Sequence, residues 1–292
     1  MSNLNQQLIP SVNFHLWEPC NFKCKFCFAT FQDVRKTVLP KGHLPKEQSL
    51  RVIDLLAEAG LKKITFAGGE PSLCPWITDL IIRAKAKGFT TMMVTNGSQL
   101  SNSFLNMVKG HLDWIVISID SINPEDNVAI GRHQGKHVLP DSHFYLEKIN
   151  LVKDYGFRIK VNTVVNRVNY QDNSLAKFMK TIEPLRWKIF QALRVVGQND
   201  KHFQQMEVTE SEFQSYIELN SISQIPFAVI EDNKAMTGTY LMVDPAGRFF
   251  DNTKGCYTYS QPILEVGVLK ALNEITYSFT DFINRAGLYE WD

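Results

Sequence analysis

The chain has 292 residues, 44% of them hydrophobic and 21% charged, and its net charge is +1. That length supports one large domain or two ordinary ones, each with a real core. So balanced a charge excludes a protein that coats nucleic acid or another extended polyanion; any anion held here must be gripped locally, by a few placed cations. The opening MSNLNQQLIPSVNF has no basic segment followed by an apolar one, so no secretory signal is expected. No run approaches the roughly twenty apolar residues of a membrane-spanning helix. Five cysteines, three of them clustered, suit a reducing cytoplasm better than a disulfide framework. The other two, Cys74 and Cys256, read as buried, inert thiols.

In chain order, SVNFHLW (11–17) alternates Val12, Phe14 and Leu16 with Asn13, His15 and Trp17 and predicts a strand that feeds into the cysteines. LPKEQSLRVIDLLAEAG (44–60) has apolar residues at helical spacing and stops at a glycine. KKITFAGG (62–69) predicts a short strand, 74–88 a helix, TTMMVTNG (90–97) a strand, and 101–110 a helix opened by a Ser/Asn cap. DWIVISID (113–120) is a β-branched run of the kind buried on both faces. After a loop containing GRHQGKH come a helix over 141–156, the strand RIKVNTVV (158–165), a helix over 173–184 and the strand RWKIFQALRV (186–195). Six strands alternating with helices predict an α/β fold with a parallel sheet of βαβ units. Right-handed crossovers then favour closure into a partial (β/α)6, TIM-like barrel. Beyond Val196 the alternation breaks into a helix from Thr209, a hairpin over Pro245, Ala246 and Gly247 within TYLMVDPAGRFFDN, and a helical end. The expected organisation is an N-terminal tail (1–10), a barrel (11–196) and a C-terminal extension (197–292) covering the active site.

Cys20, Cys24 and Cys27 lie in WEPCNFKCKFCF with the spacing C-x3-C-x2-C. Three thiolates on one short loop supply three corners of an iron–sulfur cube, for which four cysteines are the usual set. With no fourth nearby, one iron is left open to something that is not protein. A structural zinc wants a fourth nitrogen or sulfur ligand at short spacing, and the nearest candidate, His43, lies too far downstream. Phe22, Phe26 and Phe28 interleave the thiols and would shield a redox centre from water. FAGGEP (66–71) falls at the C-terminal edge of a strand, where βα loops build active sites in barrel folds. Gly68 and Gly69 allow close backbone approach to a ligand, and Glu70 adds a carboxylate beside them. Thr95 and Ser118 end the next two strands, where ordinary turn and cap duty would also account for them.

Cations within strands carry the information about substrate. Lys160 and Asn162 are two apart and share a face, with Ile159, Val161 and Thr163 on the other. Arg186 and Lys188 repeat this on the next strand, with Trp187 and Ile189 opposite. The outer face of such a barrel lies under helices, so these polar pairs should face the lumen. Lys63 opens the GGEP strand and Lys254 follows the late hairpin; Lys63 alone would read equally well as a surface lysine. An unpaired buried ion costs several kcal/mol, so the lumen is expected to hold an anion. A triphosphate, with a charge of about minus four near neutral pH, would satisfy the cluster through charge-assisted hydrogen bonds.

The cysteine spacing, with an aromatic before the last cysteine, resembles the radical S-adenosylmethionine (SAM) enzymes, in which the open iron chelates the amino and carboxylate groups of SAM. FAGGEP, one βα unit later, resembles the segment that holds the SAM amino group. This resemblance implies a [4Fe–4S] cluster on Cys20, Cys24 and Cys27, and SAM against Phe26, Gly68, Gly69, Glu70, Thr95, Ser118 and Arg132. SVNFHLWEPCNFKCKFCF, IGRHQGK, KVNTVVNRVN, PLRWKIFQ, TYLMVD and ILEVGV, spread from residue 11 to about 268, are further similar to the viperin family in its prokaryotic form. That likeness implies a nucleotide dehydratase in which Asn13, Lys63, Lys160, Asn162, Arg186, Lys188 and Lys254 contact the triphosphate. Tyr240 falls near the sugar, as a candidate hydrogen donor. The sequence departs from the animal members in three places. It opens almost at the first strand, without their membrane-binding helix, which leads to the expectation of a cytoplasmic protein. Asp292 follows Trp291, whereas the animal protein ends on a tryptophan read by cluster-assembly machinery. The segment 196–207 also differs, and base selection is expected to lie in such loops.

The implied reaction begins with reductive cleavage of SAM to methionine and a 5′-deoxyadenosyl radical. Abstraction of the C4′ hydrogen of a ribonucleoside triphosphate and loss of the 3′-hydroxyl as water follow, and one further electron and proton complete the cycle, giving a 3′-deoxy-3′,4′-didehydro nucleotide. Such a product terminates nucleic-acid chains, an antiviral role. CTP is the favoured substrate, with UTP and GTP open. Flavodoxin or ferredoxin is the expected electron donor, the chain is expected to be a monomer, and no nucleic-acid or membrane partner is expected. Competing readings are a radical SAM enzyme acting on another phosphorylated metabolite or a peptide, and, in another class, a regulatory protein with a structural metal at the cysteines.

Overall fold

The computed structural model describes residues 7–291; Asp292 and most of the expected N-terminal tail lie outside the described residues. Seven strands, each parallel to and hydrogen-bonded with the next, form the frame: β1 (Ser11–Trp17), β2 (Lys63–Gly68), β3 (Thr90–Thr95), β4 (Trp114–Ser118), β5 (Arg158–Val165), β6 (Arg186–Gln191) and β7 (Ala228–Glu231). Three more, β8 (Leu241–Val243), β9 (Arg248–Asp251) and β10 (Thr258–Pro262), continue the same sheet on the far side of β1.

Alternation along the strands sorts the side chains as the sequence implies. Val12, Phe14, Leu16, Ile64, Phe66, Ile115, Ile117, Ile159, Val161, Trp187 and Ile189 are buried in one core with the helices outside the sheet. The helix Lys46–Glu58 contributes Val52, Ile53 and Leu56 to that core, and Ile77–Ala86 contributes Ile77, Leu80 and Ile81. Each fully buried side chain of this size stabilises the fold by roughly 1.5–3 kcal/mol. Helix boundaries follow local chemistry: Ser101 Oγ accepts from Phe104 N at 3.3 Å and opens Asn102–Val108, and Asp141 opens Ser142–Asp154 in the same way.

Two expectations need correction. The parallel run has a seventh strand: β7 is only four residues long and is separated from β6 by an excursion carrying the helix Glu210–Leu219. The late hairpin, which turns at Gly247 (φ +73), belongs to the main sheet, because β8 pairs in parallel with β1 (Asn13 opposite Met242). Cys74 is buried in the main core as expected, but Cys256 is half-buried at an isolated bridge with Val196.

β7 and β8 share no ladder. Side chains join them instead: the Tyr240 hydroxyl donates to Glu231, and Arg285 donates to both Glu231 and the Thr239 carbonyl. The sheet therefore curls into a partial barrel whose gap is bridged by polar groups. The C-terminal segment passes under the strand starts, where the Trp291 carbonyl accepts from Trp114 Nε1 (2.8 Å) and Arg158 Nη1 (2.9 Å). Among the described residues, no helix is long and apolar enough to cross a membrane.

At the other end, backbone hydrogen bonds tie the cysteine loop to its neighbours. Glu70 N donates to the Pro19 carbonyl (3.0 Å), Lys23 N to that of Gly131 (3.0 Å) and Lys25 N to that of Ile130 (2.9 Å). A Cβ on Gly131, at φ +87, would stand 2.3 Å from the Lys23 carbonyl oxygen, whereas one on Gly60, at φ +92, would meet nothing within 4 Å. Both alanine substitutions carry the left-handed penalty of about 1–2 kcal/mol. Gly131→Ala should cost a further ~1–3 kcal/mol for displaced backbone, read as a larger fall in denaturant midpoint than for Gly60→Ala. Equal falls would show that the cysteine loop yields without cost.

Candidate active site

The inward faces of the strands and the loops at their ends enclose a cavity of about 290 Å³. Its rim at the C-terminal strand ends is lined by Cys20, Cys24 and Cys27 with Phe22, Phe26 and Phe28 between them. Burial pushes the Cys20 and Cys24 thiols up to about 12 and raises Cys27 as well. A thiolate here therefore needs a cation beside it.

Gly68, Gly69 and Glu70 face the cysteines across this rim. A Cβ on Gly69 would lie 2.2 Å from the Glu18 carbonyl oxygen, so glycine is what lets the β2 end and the cysteine loop meet. Glu70 is fully buried; one oxygen accepts from the Thr95 hydroxyl (2.7 Å) and Ser72 N (3.1 Å), the other from Asn96 N (2.7 Å). Burial raises its carboxyl against the pull of these donors. Thr95 thus both lines the cavity and fixes Glu70, while Asn96 Nδ2 donates to Asn21 of the cysteine loop at 2.9 Å. Ser118 lines the same wall. Arg132 is buried against Asp120 at 2.5 Å, and its charge also favours the thiolate forms of Cys24 and Cys27.

Deeper in the lumen stand the cations. Asn13, Lys63, Lys160, Asn162, Lys188 and Tyr240 all line the cavity. Arg186 is not among the lining residues: it donates to the Ala286 carbonyl (2.7 Å), with its guanidinium 4.1 Å from the ring centre of the lining Tyr289. Lys254 is not brought there: it is exposed, in the turn after β9 where Gly255 N bonds the Asn252 carbonyl at 3.0 Å. A turn that open leaves its ammonium in water, which corrects its expected place on the substrate.

Arg285 is the cation the sequence reading missed. It is buried, lies 3.6 Å from the Tyr240 ring centre and lines the cavity. Glu231, at the end of the unanticipated β7, was missed too. It accepts from Lys188, Tyr240 and Arg285, while Tyr240 also accepts from Lys188 at 3.0 Å. A carboxylate closing a short apolar strand gave some signal; Arg285, isolated after a helix, gave none. Tyr289 and Trp291 form the third unforeseen part. Lys63 donates to the Tyr289 hydroxyl (3.2 Å) and its ammonium lies 4.2 Å from the Trp291 ring centre.

Five cations, Lys63, Lys160, Arg186, Lys188 and Arg285, are thus gathered around one carboxylate, Glu231, in electrostatic reach of one another. Burial drives Lys63 and Lys160 well below the usual lysine range, and the neighbouring cations push the same way. Burial likewise brings Lys188 down to about 7, against the pull of Glu231. Burial alone would raise the Glu231 carboxyl, but Lys188 and Arg285 hold it below its usual value. In the free protein, burial and mutual repulsion thus hold the lysines toward their neutral forms.

The sequence profile of the Radical SAM superfamily matches residues 17–179. The chain is 53% identical over 284 residues to an S-adenosylmethionine-dependent nucleotide dehydratase of Flammeovirga pacifica, covering 97% of each. It is 50% identical over 285 residues to another protein of that name from Lacinutrix mariniflava, covering 97% of this chain and 59% of that one. The solved structure "Native anSMEcpe with bound AdoMet" superimposes with a TM-score of 0.68 over 94% of this chain and 82% of that one, at 13% identity, which shows a shared fold.

The superfamily's cofactors are a [4Fe–4S] cluster and SAM, and the rim residues fit them. Cys20, Cys24 and Cys27 line one cavity together with no fourth cysteine among the lining residues, a donor set that suits a cluster with one iron left open. The approach of Gly68, Gly69 and Glu70 leaves room for a small molecule beside it. The profile match and the near-full-length likeness agree with that fit: the chain belongs to the radical SAM superfamily, in its viperin branch.

Proposed function

We propose that this chain is a dehydratase that acts on a ribonucleoside triphosphate and yields its 3′-deoxy-3′,4′-didehydro analogue, a lyase reaction whose product terminates nucleic-acid chains and serves antiviral defence. What carries this reading is the cluster of buried basic side chains lining the lumen, Lys63, Lys160, Lys188 and Arg285, which an incoming polyanion such as a triphosphate would keep charged and satisfy through charge-assisted hydrogen bonds. The names of the relatives point the same way.

When bound, the cluster and SAM supply hydrogen-atom abstraction; the chain supplies placement and exclusion of water. Cys20, Cys24 and Cys27 would hold the cluster. Phe26, Gly68, Gly69, Glu70, Thr95, Ser118 and Arg132 would hold SAM, with Glu70 oriented by Thr95 and Asn96 toward the ammonium of its methionine part. Lys63, Lys160, Lys188, Arg186 and Arg285 would grip the phosphates, helped by Asn13 and Asn162. Asn162 Oδ1 and Arg186 Nε are buried without protein partners, as groups awaiting a ligand would be. Tyr240, between Lys188 and Glu231, is our candidate hydrogen donor to the sugar. CTP is the favoured base. We further assign a low-potential electron donor of the flavodoxin or ferredoxin kind, a cytoplasmic location and a monomeric state.

The deciding experiment incubates the reduced, cluster-loaded enzyme with SAM and each of the four ribonucleoside triphosphates. Formation of 5′-deoxyadenosine that depends on a nucleotide, greatest with CTP, is expected; its absence with all four would refute the reading. Lys160 makes no hydrogen bond to the protein among the described residues, so its buried charge is a burden until an anion arrives. Lys160→Met should therefore stabilise the free chain by about 1–3 kcal/mol in denaturant melts, yet weaken triphosphate binding tenfold or more. Binding should also consume protons. Lys188 lies at about 7 in the free protein, and an adjacent polyanion raises it, so above pH 7 a proton is taken up and affinity falls as pH rises. Calorimetry of CTP binding at pH 8, in buffers of differing ionisation enthalpy, should report net uptake of protons, from Lys188 and from Lys63 and Lys160, which burial also lowers; no uptake would mean that these lysines are already charged.

A further inference from the structure

His15 is a lumen residue whose polar side chain neither the expected cofactor contacts nor the cation floor uses. It lies on β1, on the same face as Asn13 and two residues nearer the cysteine loop, and it lines the cavity. It is 5% exposed, and both ring nitrogens are buried without a hydrogen-bond partner. Its only ring neighbours are apolar: Phe31 at 5.3 Å and Phe250 at 5.5 Å, both edge-on. Leaving even one such polar group unsatisfied costs about 1–3 kcal/mol, and an apolar side chain would pack this niche without that cost. A buried imidazole kept here is therefore explained by a partner that arrives with the ligand.

Position and chemistry narrow that partner. Along β1, Ser11 is level with Lys63 of the cation floor, Asn13 comes next, then His15, and Cys20 follows at the rim. A nucleotide with its phosphates on the floor and its reacting carbon toward the rim places its sugar at the height of His15. Burial drives the imidazole down to about 3, so it is neutral at working pH. A neutral ring offers one donor and one acceptor, the complement of a hydroxyl group and a poor match for phosphate, which favours imidazolium. We propose that His15 is a positioning residue that hydrogen-bonds a ribose hydroxyl of the bound nucleotide. This rests on the nucleotide reading above and extends it to the sugar.

The test compares CTP, 2′-deoxy-CTP and 3′-deoxy-CTP, by calorimetry, on cluster-loaded enzyme with SAM and no reductant, so that binding is read without turnover. Wild-type enzyme should bind CTP about tenfold more tightly than whichever deoxy analogue lacks the bonded hydroxyl. His15→Leu should bring that ratio to about one by weakening CTP selectively, with SAM affinity unchanged. His15→Gln, which keeps a donor and an acceptor, should retain part of the preference, and it also serves if the leucine variant does not fold. An unchanged ratio in a folded variant, an equal loss for all three nucleotides, or a loss of SAM binding instead would each overturn the inference while leaving the nucleotide reading intact. If wild-type enzyme binds none of the three, the nucleotide reading falls and this inference falls with it.

Discussion

Uncompensated positive charge inside the barrel is the constraint around which the rest of the molecule is arranged. Lys63, Lys160, Lys188 and Arg285 share a lumen with one carboxylate, Glu231, and burial has already pulled the lysines toward neutrality. An ion buried without a partner costs several kcal/mol, so this interior opposes folding. What offsets it is the outer face of the same strands, where Phe14, Phe66, Ile117, Val161 and Trp187 pack against helices. Alternation along a strand lets one segment do both jobs, with aliphatic groups outward and cations inward. Functional sites are commonly less stable than an apolar filling would be.

The same charges finish the barrel. No ladder links β7 to β8, and the gap is crossed by Tyr240, Glu231, Lys188 and Arg285. The C-terminal residues then cover the start of the strands, placing the Tyr289 and Trp291 rings over Lys63. Cation–π contacts of this kind contribute roughly 0.5–2 kcal/mol each, and they hold a lysine near the floor without neutralising it. An anion can replace a ring at little cost, whereas it could not readily displace a carboxylate.

The rim is built by other means. Cysteine loop, GGE segment and the turn at Gly131 meet through backbone hydrogen bonds at separations that exclude a Cβ. β1 joins the two regions, since it carries Asn13 and His15 on the cavity wall and runs directly into the cysteines. The three thiols and the buried basic side chains thus line one cavity, with Asn13 and His15 on the strand that links the two regions.

The sequence by itself determined the parallel α/β frame, six of its seven parallel strands, the cysteine loop with its GGE partner, and the inward direction of Lys160, Asn162 and Lys188. Each of these rests on a local pattern: period-two alternation, helical spacing, or a motif confined to one loop. Tertiary structure decided the rest. β7 is too short to announce itself, and the hairpin's membership of the main sheet depends on β8 finding β1, far away in the chain. Arg285 and Glu231 acquire meaning only when two sheet edges approach, and Lys254 loses its expected role because a turn leaves it in solvent. Spacing along the chain fixes which face a side chain takes, but which faces meet is settled by packing between distant segments, and it is there that the charge of the lumen is set.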